Sequence, residues 1–249
     1  MDPVAFEIFG ISVRWYGIIM AFGIMAGLVY ALRESKRVGM DENIILDLVI
    51  YGIPAGIIGA RLYYVIFNWG YYSKDPWQIL NIRGGGLAIH GTLIAAVLTG
   101  IVYSRVKGIN FWTIADIASP GLILGQAIGR WGNFMNREAH GVPTDLPWGI
   151  MVDGVRVHPT FLYESLWNLS VLAVLLWYRK RKKTEGNVFL LYLILYSVGR
   201  FFIEGLRTDS LMLGGIRAAQ LISAAAVIAG TAFLYYRGRN AKDIEKTPE

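Results

Sequence analysis

The sequence predicts an all-α fold: a polytopic membrane helix bundle of seven transmembrane helices, N-terminus outside, C-terminus cytoplasmic, with a small external cap. Three observations predict it. The chain of 249 residues is 55% hydrophobic and only 17% charged, with mean hydropathy +0.44, whereas soluble domains carry about 25% charge. Seven apolar segments, each about 20 residues long, match the span of a bilayer's hydrocarbon core. Lysine and arginine collect after every second segment, as the positive-inside rule requires.

The segments lie near 15–33, 44–68, 87–104, 112–130, 160–178, 188–206 and 217–236. Before the first, residues 1–14 carry no basic run and no small-x-small site, so no cleavable signal peptide is expected. Basic residues follow the odd-numbered segments: Arg33, Lys36 and Arg37; Arg105 and Lys107; the run 179–183; then Arg237, Arg239, Lys242 and Lys246. These exits hold fourteen of the 24 lysines and arginines, which sets the orientation. The fourth segment opens with Asp116, Ser119 and Pro120, so it is expected to be irregular or partly buried in protein.

The connections read as follows. The stretch 68–83 is rich in aromatics, and Tyr71, Tyr72 and Trp77 suit an interfacial belt. The glycines at 84–86 suit a turn feeding the third segment. Residues 133–159 form the longest external connection, with turn signals at Gly141–Pro143, Asp145–Pro147 and Asp153–Gly154, and are expected to form the cap. Residues 237–249 are expected to form a cytoplasmic tail, disordered over 245–249. No polar linker divides the chain, so a single integral-membrane domain over 1–249 is expected.

Composition also excludes functions. The net charge of +6 arises from short loops beside apolar runs, which is a topology signal and not a nucleic-acid-binding face. There is no cysteine and there are three histidines, so disulfides, a thiolate metal site and a cysteine nucleophile are excluded, and no metal or cofactor is expected.

One stretch concentrates chemistry. Gly125–Gly141 reads GQAIGRWGNFMNREAHG and sets Arg130, Asn133, Asn136, Arg137, Glu138 and His140 among glycines at the end of a membrane-type segment. Gly121, Gly125 and Gly129 precede it at i+4 spacing, a face that admits another helix backbone or a lipid chain. Elsewhere Arg61, His90, Glu164, Arg200, Glu204 and Arg207 lie in or beside apolar segments. Each charge costs at least about 2.5 kcal/mol at mid-bilayer. Tyr196, Arg200, Glu204 and Arg207 recur at i, i+4, i+8 and i+11, which is one helical stripe. The stripe suits an ion-pair ladder between helices or a binding site. The arginines 61, 130, 200 and 207 outnumber the carboxylates 164 and 204, and an excess of guanidinium suits a phosphate, which it grips bidentately. His90 suits a base, a hydrogen-bond donor to phosphate, or a packed histidine. From these residues alone an enzyme acting on an anionic lipid, an anion transporter and a scaffold all remain open.

The motifs resemble those of the bacterial phosphatidylglycerol–prolipoprotein diacylglyceryl transferase family. Gly129–Gly141 follows that family's G-R-x-G-N-F-x-N-x-E-x-x-G signature. Arg14–Gly17, Gly59–Arg61, Gly85–Gly91, His158–Glu164 and Tyr196–Arg207 resemble its other motifs in order, and Gln220 stands where the family has a glutamine in its last helix. Thr92 departs from members with another glycine there, and the connection from Gly141 to His158 is short. The resemblance implies a transferase of the bacterial cytoplasmic (inner) membrane, its site toward the external face. It implies transfer of a diacylglyceryl group from phosphatidylglycerol to the lipobox cysteine of a prolipoprotein signal peptide, with glycerol 1-phosphate released, as the first step of lipoprotein maturation. Its partners are these two substrates and the bilayer. By resemblance Arg130 and Arg200 hold the phosphate, Asn133 and Glu138 order the signature loop and lipid head, and His90 is the candidate base. Arg61 joins the lipid-binding residues, and Tyr16, Tyr196, Glu204 and Arg207 surround or close the site. Lateral access for the lipid is expected at the glycine face 121–129.

Overall fold

The computed structural model describes residues 3–82 and 85–244. Seven helices are long and apolar enough to cross a membrane: α1 (Trp15–Arg37), α2 (Glu42–Phe67), α4 (Ile89–Lys107), α5 (Phe111–Met135), α6 (Thr160–Tyr178), α7 (Asn187–Glu204) and α8 (Ala218–Ile244). A one-turn helix, α3 (Trp69–Tyr72), and a 3-10 turn at Pro76–Leu80 lie between α2 and α4. Large apolar side chains such as Ile66, Phe202 and Ile228 are about 70% exposed, the surface expected where lipid is the solvent. The helices pack as two compact units, Met1–Ala31 with Ala115–Glu249, and Leu32–Ile114.

The smaller unit holds the end of α1, then α2, α3 and α4. Asp41 caps α2 by accepting from the Asn43 amide, satisfying one of its free N–H groups. α4 ends on Gly108 in the left-handed region, φ 65°, where a glycine cap avoids Cβ strain. α2 and α4 approach at Gly59 and Gly91: a Cβ on Gly59 would stand 2.6 Å from the Gly91 carbonyl oxygen. Between membrane helices this closeness supplies van der Waals contact that apolar burial cannot, since lipid is equally apolar.

In the larger unit a hairpin of β1 (Val4–Ile8) and β2 (Ile11–Arg14) leads directly into α1. A second hairpin, β3 (Ile150–Val152) with β4 (Val155–Val157), fills part of the α5–α6 connection, and a third, β5 (Met212–Leu213) with β6 (Ile216–Arg217), joins α7 to α8. The core is a cluster of Ile123 from α5, Val171 and Leu175 from α6, and Val188 and Tyr192 from α7.

α5 is not irregular. It runs unbroken through Pro120 and is the most buried of the seven spans. Proline lacks an N–H, and the neighbouring Ser119 hydroxyl donates to the Ala115 carbonyl at 2.5 Å, adding a bond to the backbone at that turn. The helix also continues to Met135, five residues past its expected end, so Arg130 and Asn133 are helical residues. α8 likewise continues to Ile244 through much of the expected tail. The expected disorder of 245–249, and the residues Arg83 and Gly84, lie outside the described residues.

The glycine face of α5 is occupied. A Cβ on Gly121 would stand 2.6 Å from the Gly27 carbonyl oxygen of α1, and one on Gly125 3.2 Å from that of Gly23. Gly129 meets Met20. These glycines join α5 to α1 backbone to backbone, which closes the expected lipid access there.

Candidate active site

The polar centre of the larger unit is built around Glu164, in the first two turns of α6. Its Oε2 lies 2.6 Å from Nη2 of Arg130, from α5. Its Oε1 accepts from Arg200 Nη1 at 3.0 Å, from α7, and from Arg207 Nη1 at 3.2 Å, just beyond α7. The stripe expected on α7 forms: Arg200 Nη2 is 2.6 Å from Glu204 Oε2, which is 3.8 Å from Arg207 Nε. One buried carboxylate thus gathers three guanidiniums, and a second pairs with two of them.

Depth separates the charges. The Glu164 and Glu204 side chains are 4% and 3% exposed, while those of Arg130 and Arg200 are 20% and 19% exposed. The positive heads therefore cover the negative ones. A buried pair recovers its desolvation cost only through close geometry and further hydrogen bonds; Glu164 accepts from both Arg200 and Arg207, whereas Glu204 meets Arg200 as a close ion pair without hydrogen-bond geometry.

The three arginines are unequally committed. Arg207 also grips Asp209 in a fork, Nε to Oδ1 at 2.9 Å and Nη2 to Oδ2 at 2.7 Å. Burial tends to lower the Arg207 guanidinium, but the Asp209 hydrogen bond and the Glu164, Asp209 and Glu204 charges raise it further above its ordinary value. Arg207 thus divides its three hydrogen bonds between Asp209 and Glu164. Arg130 makes one ion pair among the described residues, which engages only part of its five N–H donors.

A backbone weave fixes the segments that carry these residues. The Gly141 amide donates to the His158 carbonyl at 2.9 Å, and the Val142 amide donates to the Leu206 carbonyl at 2.8 Å. The loop after α5 is thereby stitched to the start of α6 and the end of α7. A Cβ on Gly141 would lie 2.6 Å from the His158 Cβ, so only glycine fits between them. Thr160 donates to the Ala139 carbonyl, and Arg217 donates to the Glu204 carbonyl.

Asn133 lies three residues beyond Arg130, on the same helix face. Its side-chain amide donates to Glu138 Oε1 at 2.9 Å, which the Asn136 amide also approaches at 3.4 Å. Glu138 holds the turn in which Arg137 and Ala139 adopt positive φ, 54° and 58°, a conformation costly for residues bearing a Cβ. The Tyr16 ring packs against Gly132, where a Cβ would come within 2.9 Å of it. Tyr196 packs against the apolar core beside Tyr192, ring centres 6.0 Å apart. Gln220 donates to the Phe201 carbonyl at 3.1 Å.

The smaller unit holds Arg61 and His90. Arg61, 6% exposed, donates to the carbonyls of Ile79, Gly85 and Asn81 at 2.8, 2.9 and 3.1 Å, and to those of Gln78 and Gly86. All five of its donors are thus spent on the 78–86 loop, with none left for a phosphate. Its expected lipid contact gives way to a loop-holding role. Tyr72, expected in an interfacial belt, is 5% exposed and faces Arg61, whose guanidinium carbon lies 5.0 Å from the ring centre. Tyr71 and Trp77 are exposed as expected. Gly85 and Gly86 take positive φ, which presents their carbonyls to Arg61. His90, in the first turn of α4, is exposed with its ring 5.7 Å from that of Tyr63.

Two apolar grooves flank α6 at the level of Glu164. One, about 450 Å³, is lined by Tyr163, Leu166, Trp167, Phe202, Ile203 and Leu206. The other, about 380 Å³, is lined by Trp15, Ile19, Phe22, Ile128, Trp131 and Leu169. No group of three or more metal-ligating side chains occurs among the described residues.

A model of the prolipoprotein diacylglyceryl transferase family matches residues 3–236. The chain belongs to this family. It is 57% identical over 247 residues to the phosphatidylglycerol–prolipoprotein diacylglyceryl transferase of Clostridioides difficile (strain 630), covering 99% of this chain and all of that one. It is 51% identical over 248 residues to the enzyme of the same name from Finegoldia magna, again over 99% and 100% of the two chains. With that of Bacillus licheniformis it shares 50% over 262 residues, covering all of this chain and 97% of the relative.

Within this family member, sequence reasoning named Glu164 without its central role and missed Asp209. Glu164 stood among the buried ions and in the motif ending at that residue, yet nothing in one dimension marked it as the hub of three arginines. Asp209 carried a weak signal, a carboxylate two residues beyond Arg207.

Proposed function

We propose that the chain transfers the diacylglyceryl group of phosphatidylglycerol to the lipobox cysteine thiol of a prolipoprotein, the first step of lipoprotein maturation. The thiol sulfur attacks the glycerol carbon that bears the phosphate ester. The carbon–oxygen bond breaks, a thioether forms, and glycerol 1-phosphate leaves. The thiol proton passes to a base, for which His90 is the candidate. In this reading the protein sits in the bacterial cytoplasmic membrane with its N-terminus and site external, its C-terminus cytoplasmic, and the whole chain acting as one domain.

The observation that carries this reading is the convergence of Arg130, Arg200 and Arg207 on Glu164 in a chain of membrane-type helices. Charge develops on the departing phosphate in the transition state, and guanidiniums fixed beforehand in a low-dielectric site stabilise it without reorganisation. Arg130 and Arg200, the more exposed pair, contact the phosphate. Glu164 and Glu204 hold them in place, and Arg207 closes the cluster from behind. Asn133 and Glu138 shape the signature turn over the lipid head, with Tyr16 and Tyr196 bordering it. The grooves beside α6 suit the acyl chains, which cannot cheaply leave the bilayer.

The test supplies phosphatidylglycerol vesicles and a lipobox peptide and detects the diacylglyceryl thioether by mass spectrometry. Folded wild type makes the product, Arg130→Ala and Arg200→Ala do not, and Arg130→Lys is slowed because lysine lacks the bidentate fork. A folded wild type that forms no thioether refutes the reading.

A further inference from the structure

Another buried carboxylate lies at the other end of α5 and takes no part in the proposed chemistry. Asp116, 5% exposed, reaches out of its own helix to the start of α7. Its Oδ2 accepts from the Gly186 amide at 2.8 Å, and its Oδ1 accepts from the Phe189 amide at 2.9 Å. Lys182 closes on Oδ2 at 2.7 Å. α7 has no side-chain cap of its own, because its N-cap is Gly186. One helix thus caps another through the N–H groups that a helix start leaves free, with the carboxylate at the positive end of the α7 dipole.

We infer that Asp116 is a positioning residue that sets the axial register of α7 against α5, and so the relative height of Arg200 and Arg130. Arg130 lies fourteen residues beyond Asp116 along α5, and Arg200 lies fourteen beyond Gly186 along α7. At 1.5 Å per residue both arginines stand about 21 Å from the clamp. The two helices run the same way from it, and both arginines then meet Glu164. Between these ends Gln126 donates to Tyr192 Oη at 3.0 Å, and Ile123 packs with Val188 and Tyr192. The intervening contacts are one side-chain hydrogen bond and apolar packing, which tolerates sliding. The clamp fixes the backbone at the start of α7 to a charge on α5. A shift of about 1 Å at a catalytic group can cost a hundredfold in rate.

The chain has no cysteine, so one spin label can be placed on each helix, at Leu122→Cys on α5 and Phe201→Cys on α7, which are 50% and 37% exposed and line neither groove. Pulsed electron resonance then reads their separation, independently of activity. In the active labelled background, Asp116→Ala is expected to shift or broaden that separation by several ångströms, and to lower kcat at least tenfold with a smaller change in KM for phosphatidylglycerol. Lys182→Ala leaves the α7 amides capped and is expected to keep both readouts within twofold or label error. Asp116→Glu retains the charge but lengthens the arm by about 1.5 Å, so it is expected not to restore kcat. If Asp116→Ala does not fold, Asp116→Asn, with one acceptor oxygen for two amides, should broaden the distance and lower kcat about threefold or more. An unchanged distance in the folded variants, or full rescue by glutamate, overturns the clamp. The activity readout rests on the transferase proposal. A distance shift in a protein that makes no thioether would refute that proposal and leave the clamp standing.

Discussion

Replacing Glu164 by glutamine preserves shape and removes the one charge that three arginines share. Glu164 is 4% exposed and lies 2.6–3.2 Å from Arg130, Arg200 and Arg207. Removing one partner of a buried pair costs about 3–5 kcal/mol. Since these guanidiniums keep 10–20% exposure, the lower end applies, about 3 kcal/mol. For a chain of this size that is a fall in Tm of about 6–12 °C. The uncompensated arginines should also bind an anionic lipid more avidly. Thermal unfolding in a neutral detergent, with and without phosphatidylglycerol, measures both effects. The variant should unfold earlier in detergent alone and gain more from the lipid than the wild type does. Thioether formation should fall as well, because Arg130 loses the partner that orients it. A Tm within 1 °C of wild type and an equal lipid effect would refute Glu164 as the hub.

Three further outcomes follow from the same structure. Gly121→Leu would drive a side chain into the Gly27 carbonyl and should cost about 1–3 kcal/mol, seen as a lower Tm in detergent. Arg61→Lys leaves three donors where five carbonyls need them, so limited proteolysis should cut the 78–86 loop faster than in wild type. The third outcome concerns acid. Burial tends to raise the Asp209 carboxyl, but the Arg207 hydrogen bond and charge, its own backbone and Arg200 hold it below the usual 3.8. A depressed carboxylate contributes stability in full above its unfolded value and loses it as pH falls through the folded one. Wild type should therefore lose stability below about pH 3.8 more steeply than Asp209→Asn, as acid titration followed by unfolding would record.

Much of the fold was legible because the bilayer imposes length and polarity on each span. α6 begins and ends where its apolar run does, Thr160–Tyr178. α5 outran its expected end because Asn133 finds a partner in Glu138 and the helix continues to Met135. The stripe was legible because Arg200 and Glu204 lie one turn apart on α7 and Arg207 follows in the turn just beyond it, where spacing along the chain sets the neighbours. Arg61 was misread for the opposite reason. Its partners are backbone carbonyls 17 to 25 residues away, and carbonyls have no signature in sequence. The glycine face of α5 was ambiguous between lipid and protein, and the α1 backbone at Gly23 and Gly27 resolved it.

By itself the sequence determined the seven spans, the arginine stripe and the family motifs, because each depends on local spacing or on composition. Only the tertiary structure decided that Glu164 gathers Arg130, Arg200 and Arg207, that Arg207 is divided between Glu164 and Asp209, and that Asp116 caps a helix seventy residues on. Those facts depend on which helix faces meet. In lipid, helix faces are chosen by close packing and charge pairing between segments distant in the chain, and no periodicity within one segment records the choice.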